Sequence, residues 1–85
     1  MKNNINKEER VEVMALFGYE MTPCQPLSFR RRGALEKVEV TELLSARVKF
    51  IGATAMYLFD VLAGRERYTL SFNARELSWH LALAK

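Results

Sequence analysis

Arg30, Arg31 and Arg32 stand side by side immediately before Gly33, the densest run of positive charge in the chain. A guanidinium is a permanent cation whose planar fork of donors fits a carboxylate or a phosphate. Three of them at a turn could therefore grip an acidic partner or a nucleic-acid backbone. Arg65, Arg67 and Arg75 flank two further turn regions. If these turns gather at one end of the fold, Arg30, Arg31, Arg32, Arg65, Arg67 and Arg75 form one binding patch for a nucleic acid or an acidic protein. The competing reading is six solvated turn residues, the ordinary fate of charge on a surface. Nucleic-acid binding also calls for exposed aromatics on which bases stack, whereas the aromatics here follow the alternation of a core.

Other reactive side chains are few. His80 is the only histidine and Cys24 the only cysteine, so a tetrahedral set of nitrogen and sulfur ligands cannot be assembled in one chain, and neither a metal nor another cofactor is expected. His80 has no recognisable nucleophile or orienting group beside it in sequence. It is expected to face outward between Trp79 and Leu81, while Ser71 and Ser78 fall on the solvent parity of their strands. Asp60 interrupts an apolar stretch and needs a donor or cation if it is buried. Arg47, Lys49 or Arg67 across a ladder could supply one, and a structural pair is favoured over a functional carboxylate. Cys24 sits among prolines in an expected loop, where a reactive thiol would need a base or a positive field. Gly18, Gly33, Gly52 and Gly64 are too widely spaced to form a phosphate loop.

The elements that must position these residues read as strands. Val11, Val13, Ala15 and Phe17 share one face of an extended segment over residues 10–17; a helix capped by Asn6 with Glu9 is the rival. Pro23 and Pro26 make residues 22–26 a loop or an irregular edge. Leu27 and Phe29, then Val38 and Val40, form a hairpin turning at Gly33. Val48 and Phe50 point opposite to Arg47 and Lys49. Residues 56–62 are apolar on both parities, which predicts a central strand covered on both faces. Tyr68, Leu70 and Phe72 alternate with Thr69 and Ser71 as a half-buried strand. Leu77, Trp79, Leu81 and Leu83 share a parity over residues 74–84, where a helix opened by Asn73 and Glu76 is the alternative.

These segments predict a mainly β fold: a small antiparallel sheet or partly closed barrel of five to six strands, with a short terminal helix as the named alternative. The 85 residues hold one domain over 10–85 behind a disordered segment 1–9. A net charge of +3 is concentrated in the second half, which permits an anionic partner without demanding one. No apolar h-region lies in the first ten residues, no stretch is long enough to span a bilayer, and a lone cysteine suits a reducing compartment. The expected location is cytoplasmic, with no membrane contact.

Pro26, Phe29, Arg32 and Gly33, Val38 and Val40, Tyr57, Phe59 and Val61, and Tyr68, Leu70, Phe72, Trp79 and Leu81 make a further pattern. Its Pro-x-x-Phe, Arg-Gly turn, tyrosine-bearing strand and final tryptophan strand resemble an uncharacterised family of small bacterial β domains found beside translesion DNA polymerase genes. Leu43 and Leu44 stand where that family carries a tryptophan. The resemblance spans about residues 10–83 and implies an association with DNA transactions but no catalytic residue.

The leading functional expectation is a non-enzymatic binding or adaptor module of unknown partner, protein or nucleic acid, with a sheet edge able to recruit a partner strand or a second copy. The alternatives are nucleic-acid binding through the arginine turns, and a small enzyme whose site, drawing on Asp60, His80 or Cys24, is completed in a homo-oligomer.

Overall fold

The computed structural model describes residues 8–18 and 24–83. Most of the expected N-terminal segment, and Thr22 and Pro23 of the expected loop, lie outside the described residues. Seven strands occur among the described residues: β1 Glu9–Phe17, β2 Cys24–Arg30, β3 Val38–Glu39, β4 Glu42–Ile51, β5 Thr54–Ala63, β6 Glu66–Asn73 and β7 Ser78–Leu83. They form one antiparallel sheet in the order β3-β2-β1-β7-β6-β5-β4. No helix occurs among the described residues, so neither helical alternative is adopted.

The sheet curls into a half-barrel, because among the described residues its apolar face has no second layer to lie against. Phe29 on β2 meets Tyr68 on β6 edge to face at 5.1 Å between ring centres, although β1 and β7 separate those strands within the sheet. The space between is filled by Val11, Cys24, Phe59, Val61, Leu70, Phe72, Trp79 and Leu81, all buried. Trp79 lies 4.9 Å from Phe72 and 5.8 Å from Phe59. Burying a side chain of this size contributes roughly 1.5–3 kcal/mol.

Register explains where the alternation succeeds and where it fails. Tyr57, Phe59 and Val61 pair with Phe72, Leu70 and Tyr68, and Phe72 and Leu70 pair in turn with Trp79 and Leu81. These residues share the concave face, as their parity predicts. The other parity of β5 is only half-buried. Moreover β5 is next to the edge, and β7 occupies the centre, so a central strand covered on both faces is not what residues 56–62 form.

Leu27, expected on the same face as Phe29, lies on the other because of a register shift, and a second shift falls at Leu44. Between Met14↔Ser28 and Ala15↔Pro26 the register slips and leaves Leu27 without an opposite residue, and Leu44 is left out between Leu43↔Val61 and Ser45↔Asp60. Each is a bulge, which adds one residue to its strand and reverses the parity beyond it. Pro26 and Phe29 therefore both point inward at a three-residue spacing, while Leu27 is exposed. Pro26 and Cys24 are buried within β2 and not in a loop, a place proline tolerates beside a bulge.

Turn chemistry sets the hairpin ends. Gly52 and Gly64 have positive φ at the first position of two-residue loops joining β4 to β5 and β5 to β6, the pattern that matches the twist of the flanking strands. The β6–β7 loop is longer. Asn73 does cap, but its Oδ1 accepts the N–H groups of Arg75 and Glu76 at 2.9 Å to close a turn instead of opening a helix, and Leu77 N–H donates to Asn73 O. Leu77 is thus held at φ 56° and is 72% exposed, so the inward parity expected of it starts only at Trp79. Ser71 and Ser78, expected in solvent, are buried, and their hydroxyls have no hydrogen-bond partner among the described residues.

A left-handed conformation is costly for a residue with a Cβ and free for glycine. Leu77→Gly is expected to raise the urea midpoint, with a gain in unfolding free energy of up to about 1 kcal/mol after the added unfolded-state entropy, and Leu77→Val to lower it. A lower midpoint for the glycine variant contradicts the turn.

Candidate functional site

Arg30 closes β2 directly opposite Glu12 on β1. Its guanidinium donates to Glu12 Oε1 from Nη2 at 2.6 Å and from Nε at 3.1 Å. Arg31 makes a two-pronged contact with Glu9, Nη2 to Oε1 at 2.6 Å and Nε to Oε2 at 3.3 Å. Hydrogen bonding from Arg31 holds the Glu9 carboxyl below its usual range, against a smaller opposing effect of burial, with the Arg32 backbone N–H also contributing. Two of the three adjacent arginines are therefore committed to strand β1.

Around them lies an open cleft of about 500 Å³, bounded by Arg10, Glu12, Arg30, Arg31, Arg32 and Gly33. Arg10 and Arg32 make no ion pair among the described residues. A larger and more apolar concavity of about 690 Å³, lined by exposed Met14, Phe17 and Leu35, shares the Glu12–Arg30 wall. Arg65 and Arg67, beside the β5–β6 turn, lie at the same end of the sheet as Arg31, because Glu9 pairs with Leu81 and Tyr68 with Leu83. Arg75 is in the β6–β7 turn at the opposite end. The six arginines named from the sequence therefore do not share one end, and Arg10, which faces the cleft, belonged to no cluster in the sequence.

Asp60 lies on the convex face and joins three strands. Ser45 Oγ and Arg47 Nη1 donate to its Oδ2 at 2.7 and 2.5 Å, and Thr69 Oγ1 donates to Oδ1 at 2.8 Å. Burial pushes its pKa up, but the hydrogen bonds from Ser45, Thr69 and Arg47 outweigh it and leave the carboxyl below the ordinary aspartate range. The partner anticipated across the ladder is Arg47. Because Ser45 follows the Leu44 bulge, this network fixes the register of β4 beyond it.

Cys24 is buried, and burial raises its thiol pKa, the reverse of what a nucleophile needs. His80, half-buried, pairs in register with Arg10 on one side and Ser71 on the other. Among the described residues no cluster of three or more His, Cys, Asp or Glu is placed to hold a metal ion, and no helix is long and apolar enough to cross a membrane.

The two sheet edges differ. β3 has two residues and carries a Lys37–Glu39 ion pair at 3.3 Å. β4 runs for ten residues, of which all but Leu43 are exposed, and no other described strand pairs with its outer side. Its concave-facing Val48 and Phe50, opposite Tyr57 and Ala55, are 48% and 66% exposed. Sequence periodicity found both side chains but gave no sign that β4 would be an edge.

A carboxyl with a depressed folded-state pKa stabilises the fold above its unfolded pKa, and that contribution is lost as pH falls through the folded value. Stability is expected to fall below about pH 4, and Asp60→Asn to remove part of that fall. At pH 7 the substitution is expected to cost about 1–2 kcal/mol in urea unfolding. An unchanged acid limb in the variant contradicts the network. Compared with family models, with curated proteins and with solved structures, the chain matches none.

Proposed function

We propose that this protein is a non-enzymatic binding or adaptor module, acting in the cytoplasm, that recruits an extended segment of a protein partner along β4. The observation that carries the reading is the outer side of β4, ten residues long, unpaired among the described residues and flanked by exposed Val48 and Phe50. An unpaired edge offers a row of backbone donors and acceptors, and alternate side chains beside it supply specificity. The Asp60 network supports the reading further, since it holds the edge in one register before any partner arrives.

Nucleic-acid binding is the second reading, supported by the cleft in which four arginines meet Glu12 and the nearby Glu9. The resemblance of the core pattern to β domains encoded beside translesion polymerases favours the same partner class. The two readings use different surfaces and separate cleanly. Untagged protein recovered from its native lysate is expected to bring a protein partner that survives nuclease. That partner should persist with Arg30, Arg31 and Arg32 changed to Ala, and be lost with Val48→Asp and Phe50→Asp. Loss on nuclease treatment and in the arginine variant, with the β4 variant unaffected, overturns edge recruitment in favour of nucleic acid.

A further inference from the structure

Resting on the reading of β4 as the recruiting edge, we infer that its partner is an acidic strand, one alternating carboxylates with apolar residues, and not a second copy of this chain. Along β4 beyond the bulge the two faces have different chemistry. Ala46, Val48 and Phe50 share the concave side, whereas Ser45, Arg47, Lys49 and Ile51 share the convex side. Residues directly opposite in an antiparallel pair lie on the same face. An incoming strand therefore meets apolar neighbours at one parity and two cations at the other. Arg47 is held by Asp60, while Lys49 makes no ion pair among the described residues.

The same alternation disfavours self-pairing. Two copies joined antiparallel about Val48 would set Lys49 against Arg47 of the second copy. Centring on Lys49 sets that lysine against itself, and centring on Arg47 does the same for the guanidinium. A register shifted further towards the N-terminus runs into the Leu44 bulge and brings Phe50 opposite Glu42. Like charges directly opposite destabilise a pair, and lysines and bulges are common guards of an edge strand. Each guard acts against the chain's own copy, yet a carboxylate opposite Lys49 would turn the first of them into an attraction.

The test uses the whole protein, labelled for NMR, and two capped peptides of about seven residues, one alternating valine with glutamate and one alternating valine with lysine. The acidic peptide is expected to shift and protect the amides of β4 and to leave those of β1 and β2 unchanged. Lys49→Glu is expected to weaken it about fivefold or more, the scale of exchanging an opposite-charge cross-strand pair for a like-charge one, and to improve binding of the basic peptide. Protection of β4 by the basic peptide at least as strong as by the acidic one overturns the inference but leaves edge recruitment standing. Dimerisation of the free protein through β4 has the same consequence. Binding of the acidic peptide at the arginine cleft, or no protection of β4 by either peptide, overturns both.

Discussion

A single sheet can hide its apolar face only by closing on itself, and the contact that closes this one joins strands that do not pair. Phe29 on β2 reaches Tyr68 on β6, and the rings of Phe59, Phe72 and Trp79 fill the concavity below. Because the curl stops at a half-barrel, two edges remain where a closed barrel would have none. One is blunted by the two-residue β3. The other, β4, keeps a full strand's length of unpaired backbone among the described residues.

The polar groups follow that division. Glu9 and Glu12 fasten Arg31 and Arg30, and with them the end of β2, to β1. Asp60 fastens β4 to β5 and β6 at the opposite side of the sheet. Both sets stand near a place where register could slip: the β1–β2 pair contains the Leu27 bulge and the β4–β5 pair the Leu44 bulge. Because a one-residue slip would turn every later side chain to the other face, a carboxylate held by specific cross-strand donors is a means of choosing one register.

Much of this was legible in the sequence, because burial on one face of a sheet imposes a period of two that local inspection detects. Tyr68, Leu70 and Phe72, and then Trp79 and Leu81, are inward as their alternation implies. So was Asp60's need for a cation, since a carboxylate inside an apolar run has few other ways to be satisfied. Leu27, Leu44 and Leu77 were illegible because bulges and a left-handed turn change the period without changing composition. Ser71 looked solvent-facing, but between Leu58 and His80 in register a small side chain is shaded by larger neighbours. The cleft and the edge depend on pairings between distant segments. Nothing near Arg31 points to Glu9, twenty-two residues away, and nothing in β4 says that β1 will pair with β7 and leave β4 outermost.

That β4 is an open edge is the claim on which the functional account turns, and amide hydrogen exchange of the free protein measures it directly. Successive amides of an edge strand point alternately to the neighbouring strand and to solvent. The account predicts slow exchange for the β4 amides directed at β5, fast exchange for those between them, and continuous protection along β6 and β7. Continuous protection along β4 as well would mean that the edge is already covered, and would contradict the account.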